Sequence, residues 1–143
     1  MRVLIILILL TSCATQSQTQ SEKVPKACYR YLRAIEHYAH HANIEQTLAL
    51  SMVIQESSCN PKARSQKGAV GLTQLVPKWH AHKGNITEPY ENLKIGFEYL
   101  RELYEQDFSI KNALAKYYAG NNGHLSKVGM AYAQEVLDRR KLL

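Results

Sequence analysis

The chain has 143 residues, one domain's worth, and is 45% hydrophobic and 21% charged, which excludes a disordered or fibrous polymer. Eighteen basic side chains against twelve acidic ones give a net charge of +6, suited to an anionic partner such as a nucleic acid, a membrane surface or an acidic polymer, without choosing among them. Three cysteines are too few for a disulfide scaffold, and they show no zinc-type pairing.

Arg2 followed by the apolar run Val3–Leu10 has the layout of a secretory signal. The run is far short of the roughly 20 residues a spanning helix needs. The junction Leu10-Thr11-Ser12-Cys13 resembles a bacterial lipobox, in which the cysteine becomes the lipidated first residue. The expected organisation is therefore a lipoprotein-type signal peptide over 1–12, a lipidated Cys13 and flexible tether over 13–26, and one folded domain over 27–143. The expected location is a bacterial membrane facing the periplasm, the outer membrane in particular. Export leaves Cys28 and Cys59 as a pair in an oxidising compartment; a bridge and two buried free thiols both fit, with the bridge slightly favoured.

The remaining elements read as helices with short breaks. Ala27–His41 carries Cys28, Leu32, Ile35 and Ala39 at helical spacing. Asn43 has the chemistry of an N-cap for a helix over Glu45–Ser58, the most apolar stretch after the signal, and Pro61 is expected to stop it. Lys62–Gly71 is a polar, glycine-bearing loop with room for a minor irregular hairpin over 62–72. Glu91–Gln106 is strongly periodic. Ser109 is placed to cap Ile110–Ala119, Gly120–Gly123 forms a turn cluster, and Leu125–Leu142 closes the chain. No run alternates convincingly as a strand, so the fold class is all-α.

Ten glutamates and two aspartates, Asp107 and Asp138, make up the acids. Glu98, Glu102 and Glu105 sit among basic residues on helix faces and read as solvated. Glu56 differs: it follows the apolar stretch Leu48–Ile54 and lies in the last turn of its helix. The helix dipole and apolar surroundings both disfavour its anion, which suits a general acid. On this local chemistry alone, an acid and a surface glutamate at a helix end are equally good readings.

Flanking residues separate the two. Glu56-Ser57, then Asn60-Pro61-Lys62-Ala63-Arg64-Ser65, then Gly71-Leu72-Thr73-Gln74 with Pro77 resemble the soluble lytic transglycosylase (SLT) family. Asn92 with Gly96, Tyr99 and Leu100, the segment Ala113–Gly120, and Tyr132 with Val136 continue the similarity in order. The resemblance implies a small lysozyme-like helical fold around a substrate cleft, within the superfamily that also holds α+β lysozymes. It implies non-hydrolytic cleavage of the MurNAc–GlcNAc β-1,4 bond of peptidoglycan. Glu56 is then the catalytic acid and base, Ser65 a contact to the N-acetyl region, and Gln74 a substrate-binding residue. Tyr117 is the tyrosine that hydrogen-bonds the catalytic carboxyl, Tyr132 belongs to the last motif on the substrate side, and Ser57 is structural. Ordinary glycosidases flank the bond with two carboxylates, whereas the loop Lys62–Gln74 contains none. The sequence departs from the family pattern at Thr73, in place of a methionine in the wall beside Gln74, and at Tyr118, in place of asparagine.

This chemistry needs no cofactor. His37 with His41, and His80 with His82, lack an acid or cysteine to complete a metal set. Expected partners are peptidoglycan glycan strands, a membrane through the lipid anchor, and an envelope-spanning complex; export argues against nucleic acid. Two rival functions remain, a hydrolytic muramidase and a non-catalytic wall-binding lipoprotein.

Overall fold

The computed structural model describes residues 23–143. The expected signal peptide, the expected lipidation site Cys13 and most of the tether lie outside the described residues. A 3₁₀ turn over Lys26–Tyr31 leads into α1 (Leu32–His41), followed by α2 (Gln46–Ser57), the short α3 (Pro77–His80) with a 3₁₀ turn over Ala81–Lys83, α4 (Pro89–Tyr104), α5 (Ile110–Ala119), a 3₁₀ turn over Gly123–Leu125, and α6 (Lys127–Arg140). Among the described residues, extended pairing is limited to two isolated antiparallel bridges, Arg64 with Val70 and Val70 with Leu75. The chain is all-α, as its periodicities predict, and the bridges are the minor hairpin expected in the 62–72 loop.

The apolar stretch becomes the central helix. Every residue from Leu48 to Ile54 is buried, the behaviour of a helix that is hydrophobic all round. Ser51, the polar member of that run, donates its hydroxyl to the Thr47 carbonyl at 2.7 Å. Around α2 pack Ile35 and Ala39 of α1, Phe97, Leu100 and Leu103 of α4, Ala113–Ala115 of α5, and Tyr132, Ala133 and Val136 of α6. Burying each large aliphatic side chain contributes about 1.5–3 kcal/mol before the entropy of ordering the chain is subtracted. A smaller cluster, Val70, Leu75, Ile86 and Ile95, lies beneath the 62–76 loop.

Two helix boundaries differ from expectation. Asn43 does not cap α2. It sits at φ 53 and ends α1, with Asn43 N–H on the His40 carbonyl and Ile44 N–H on the Ala39 carbonyl, the Schellman arrangement. Asparagine tolerates the left-handed conformation this needs, so the residue serves the preceding helix, and Glu45 flanks α2 instead. Nor does Pro61 stop α2. The helix ends at Ser57 because Ser58 and Cys59 are both left-handed, at φ 50 and 62. Cys59 is joined there to Cys28, with an S–S distance of 2.00 Å, tying the exit of α2 to the 3₁₀ turn before α1. Ser109 does cap α5, accepting from Asn112 N–H at 3.3 Å.

Candidate active site

Glu56 occupies the last turn of α2, just before the two left-handed residues turn the chain into the 62–76 loop. Its carboxyl lies where two pockets meet. One, of about 340 Å³, is lined by Glu56 with Ser65, Lys67, Gln74, Tyr117 and Tyr118 among others. The other, of about 320 Å³, is lined by Glu56 with Gln55, Tyr118, Val128, Tyr132 and Glu135. Glu56 and Tyr118 are common to both. Larger hollows lie elsewhere on the surface, one lined by Ile44, Leu48, Tyr104 and Phe108 with Arg101 and Arg140, the other by charged residues such as Arg101 and Glu105, and acids in them such as Glu45 and Glu105 are half-exposed ion-pair partners.

Burial raises the Glu56 pKa from 4.5 to about 7, against the opposing pull of a hydrogen bond from Tyr132. At neutral pH the group is therefore balanced between acid and carboxylate, the condition in which one side chain can both give and take a proton. The Tyr132 hydroxyl donates to Glu56 Oε1. Tyr132 is held as the neutral phenol, its pKa raised well above the ordinary value by burial and by the neighbouring Glu56 charge. It therefore stands as a donor to the Glu56 carboxylate, not as a competing anion.

Here the structure reassigns a role. Tyr117, the tyrosine expected to bond the acid, donates instead to the Thr73 carbonyl at 2.8 Å. The reason lies in packing. Tyr117 ends α5 over the loop, its ring against Tyr99 with centroids 5.2 Å apart, so its hydroxyl meets loop backbone. Tyr132 comes from α6, which packs directly on α2 and reaches the acid. Tyr117 still lines the Glu56 pocket.

The loop itself is held by an amide the sequence reading placed only within a helix motif. Asn92 of α4 is fully buried and uses all its polar capacity. Its Oδ1 accepts from Thr73 N–H and Thr73 Oγ1, each at 2.8 Å, and its Nδ2 donates to the Val70 and Ile86 carbonyls at 3.0 and 2.8 Å. Thr73 is consequently buried and forms no part of the wall beside Gln74, contrary to expectation. A Cβ at Gly71 would overlap the Asn92 amide and one at Gly96 would overlap Thr73, so both glycines are required by close approach.

This lock presents the remaining site residues. Gln74, left-handed at φ 52, donates Nε2 to the Ala63 and Gly71 carbonyls at 3.2 and 3.0 Å. Two carbonyl neighbours can only accept, so the amide orientation is fixed with Oε1 directed away from them. Ser65 Oγ accepts from Ala69 N–H at 3.0 Å at the mouth of the same pocket. Ser57 is structural in geometry as well as by resemblance: its hydroxyl lies 2.9 Å from the Leu72 carbonyl and ties the loop to α2.

Sequence reasoning passed over Glu135. This second carboxylate lines the Tyr132 side of the cleft and accepts from Gln55 Nε2 at 2.7 Å. Its position one turn beyond Tyr132 on the same helix was the available signal. The histidines lie apart from this centre. His37 and His41 are edge-to-face with centroids 4.5 Å apart, and His80 is buried against Tyr99. Among the described residues no group of three or more His, Cys, Asp or Glu side chains could hold a metal ion.

The chain is similar to known proteins in sequence and in fold. The chain is 35% identical over 81 residues to the soluble lytic murein transglycosylase of Salmonella typhimurium, a match spanning 48% of this chain and 13% of that protein. It is 33% identical over 94 residues to the membrane-bound lytic murein transglycosylase E of Buchnera aphidicola, spanning 57% of this chain and 42% of the relative. The chain thus corresponds to a minor part of the length of these relatives. In three dimensions it superposes on the 70 kDa soluble lytic transglycosylase of Escherichia coli with a TM-score of 0.69 at 24% identity, covering 92% of this chain and 26% of that one. The expected lysozyme-like helical fold is thereby borne out. Residues 33–138 match the family described as the transglycosylase SLT domain, and it is to this family that the chain belongs.

Proposed function

We propose that the protein is a peptidoglycan lytic transglycosylase that cleaves the MurNAc–GlcNAc β-1,4 bond, with Glu56 as its single acid and base. The observation that carries this reading is the Glu56 carboxyl, with a pKa of about 7, at the junction of two pockets. Protonated Glu56 gives its proton to the glycosidic oxygen as the bond from C1 of MurNAc breaks, releasing the 4-hydroxyl of GlcNAc. The resulting carboxylate then takes the proton of the MurNAc C6 hydroxyl, whose oxygen bonds C1 and closes a 1,6-anhydro ring. One proton leaves Glu56 and one returns, so the enzyme ends as it began. An internal nucleophile gains the advantage of proximity over water.

In this reading Tyr132 steadies the carboxylate between the two proton transfers, Gln74 Oε1 accepts from a sugar hydroxyl or amide, and Ser65 meets the N-acetyl region. Tyr117 positions the wall that carries Gln74. Acylation of Cys13 would hold the domain at a membrane facing the periplasm, the outer membrane, within reach of the glycan strands. Membrane-bound relatives support such an anchor, and the basic surface suits the anionic wall.

Glu135 favours a second reading. A second carboxylate lining the same pocket as Glu56 supplies a group that can activate water and make the enzyme a muramidase. The first test is common to both. Glu56→Gln keeps the shape of the side chain and a partner for Tyr132 but has no proton to exchange, so release of fragments from purified sacculi should fall by roughly 10²- to 10⁴-fold or more, while the folded variant still sediments with the sacculi. Cleavage at the wild-type rate would overturn both readings.

A further inference from the structure

Tyr118 is the residue that the two halves of the cleft share besides the acid itself. Its ring lies on that of Tyr132 with centroids 4.6 Å apart and planes 13° from parallel. Tyr132 is buried beneath it, while Tyr118 is 52% exposed. One face of the ring is thus occupied by the tyrosine that bonds Glu56, and the half-exposed remainder lines both pockets beside the acid.

We propose that the open face of Tyr118 is a stacking platform for a pyranose ring bound across Glu56, and that it is a substrate-binding residue of this cleft. The proposal rests on the reading of the site as a glycan-cleaving one. A β-1,4-linked amino sugar with equatorial substituents presents a face of C–H groups, which suits the negative face of an aromatic ring. Asparagine, the residue the family pattern leads one to expect here, would select a polar substituent instead. A ring-face contact selects the flatness of the sugar and is indifferent to its substituents. Tyr132 makes the platform rigid, because the lower ring is fixed by burial and by its bond to Glu56, so little side-chain freedom is lost when a sugar docks.

The test is binding to purified sacculi in the Glu56→Gln background, where nothing is cut. Adding Tyr118→Ala should weaken binding about tenfold, the scale of one aromatic face contact. Tyr118→Phe should restore most of the affinity and Tyr118→Asn should not. Phe108→Ala, at an aromatic that is 71% exposed between α4 and α5, is the control for loss of an exposed ring. A second measurement, the pH profile of cleavage in the Glu56-intact protein, separates stacking from a structural role: Tyr118→Ala should raise KM and leave the alkaline limb in place. Unchanged binding by the alanine variant, or a moved alkaline limb with binding intact, would overturn the platform and leave Tyr118 as a buttress of Tyr132. Failure of the wild-type protein to cut sacculi is a different outcome, in which the reading of the site fails and the platform with it.

Discussion

Replacing Glu56 by glutamine should stabilise the folded protein, and by an amount that grows with pH. In the unfolded chain this carboxyl titrates near 4.5, and in the folded one burial moves it to about 7. Because the folded pKa is the higher, the folded state binds the proton more tightly. The group carries no penalty below the unfolded value, loses stability as pH rises between the two values, and reaches its full penalty above about 7. At about 1.4 kcal/mol for each pH unit separating the two values, the full penalty is about 3 kcal/mol. Glutamine carries no charge to desolvate and can still accept from Tyr132. Thermal melts followed by circular dichroism should therefore show Glu56→Gln above the wild type by roughly 10 °C at about pH 8, with the difference shrinking towards zero near the unfolded value. A gain that is flat across pH, or largest in acid, would refute the argument that burial sets the proton affinity of this group.

Three further outcomes follow from the contacts. Tyr132→Phe removes the bond that holds the Glu56 pKa down, so the alkaline limb of the cleavage profile should move upward, by up to about 1–2 pH units for a hydrogen bond to a charged group; an unmoved limb would show that the bond does not reach the acid. Asn92→Ala strips the buried amide that serves Thr73, Val70 and Ile86, and should cost on the order of 3–5 kcal/mol in urea unfolding, whereas a loss under about 1 kcal/mol would mean the loop is held otherwise. Replacing Cys28 and Cys59 by serine reopens a loop of sequence separation 31 and should cost roughly 3–4 kcal/mol in the chain-entropy account, seen as a lowered melting point with helical content retained.

The helices were legible because the central one is almost wholly apolar and its neighbours carry apolar residues at helical spacing. Their ends were less so. Asn43 is a good signal for the left-handed conformation and for an N-cap alike, and local chemistry does not say which helix it serves. Two consecutive left-handed residues without a glycine, Ser58 and Cys59, leave no compositional trace, so the termination fell to the more visible Pro61. In the site, Glu56 was legible only together with its flanking residues, from Asn60-Pro61 to Gln74, because an acid at the end of an apolar helix is on its own as readily a surface glutamate. The exchange between Tyr117 and Tyr132 was not, since both are tyrosines late in the chain and the distinction depends on which helix packs on α2. Thr73 looked like a wall residue from its neighbours. Its burial follows from Asn92, nineteen residues away, a distance at which spacing carries no information.

The most direct test of the central claim is the mass of the glycan ends released from purified sacculi by the wild-type protein. With Glu56 acting alone and the C6 hydroxyl as nucleophile, the new MurNAc ends are 1,6-anhydro rings, each lighter by one water than the reducing end a hydrolase leaves. Reducing ends in place of anhydro ends would contradict the account and point to water activated by Glu135, which lines the same pocket as Glu56.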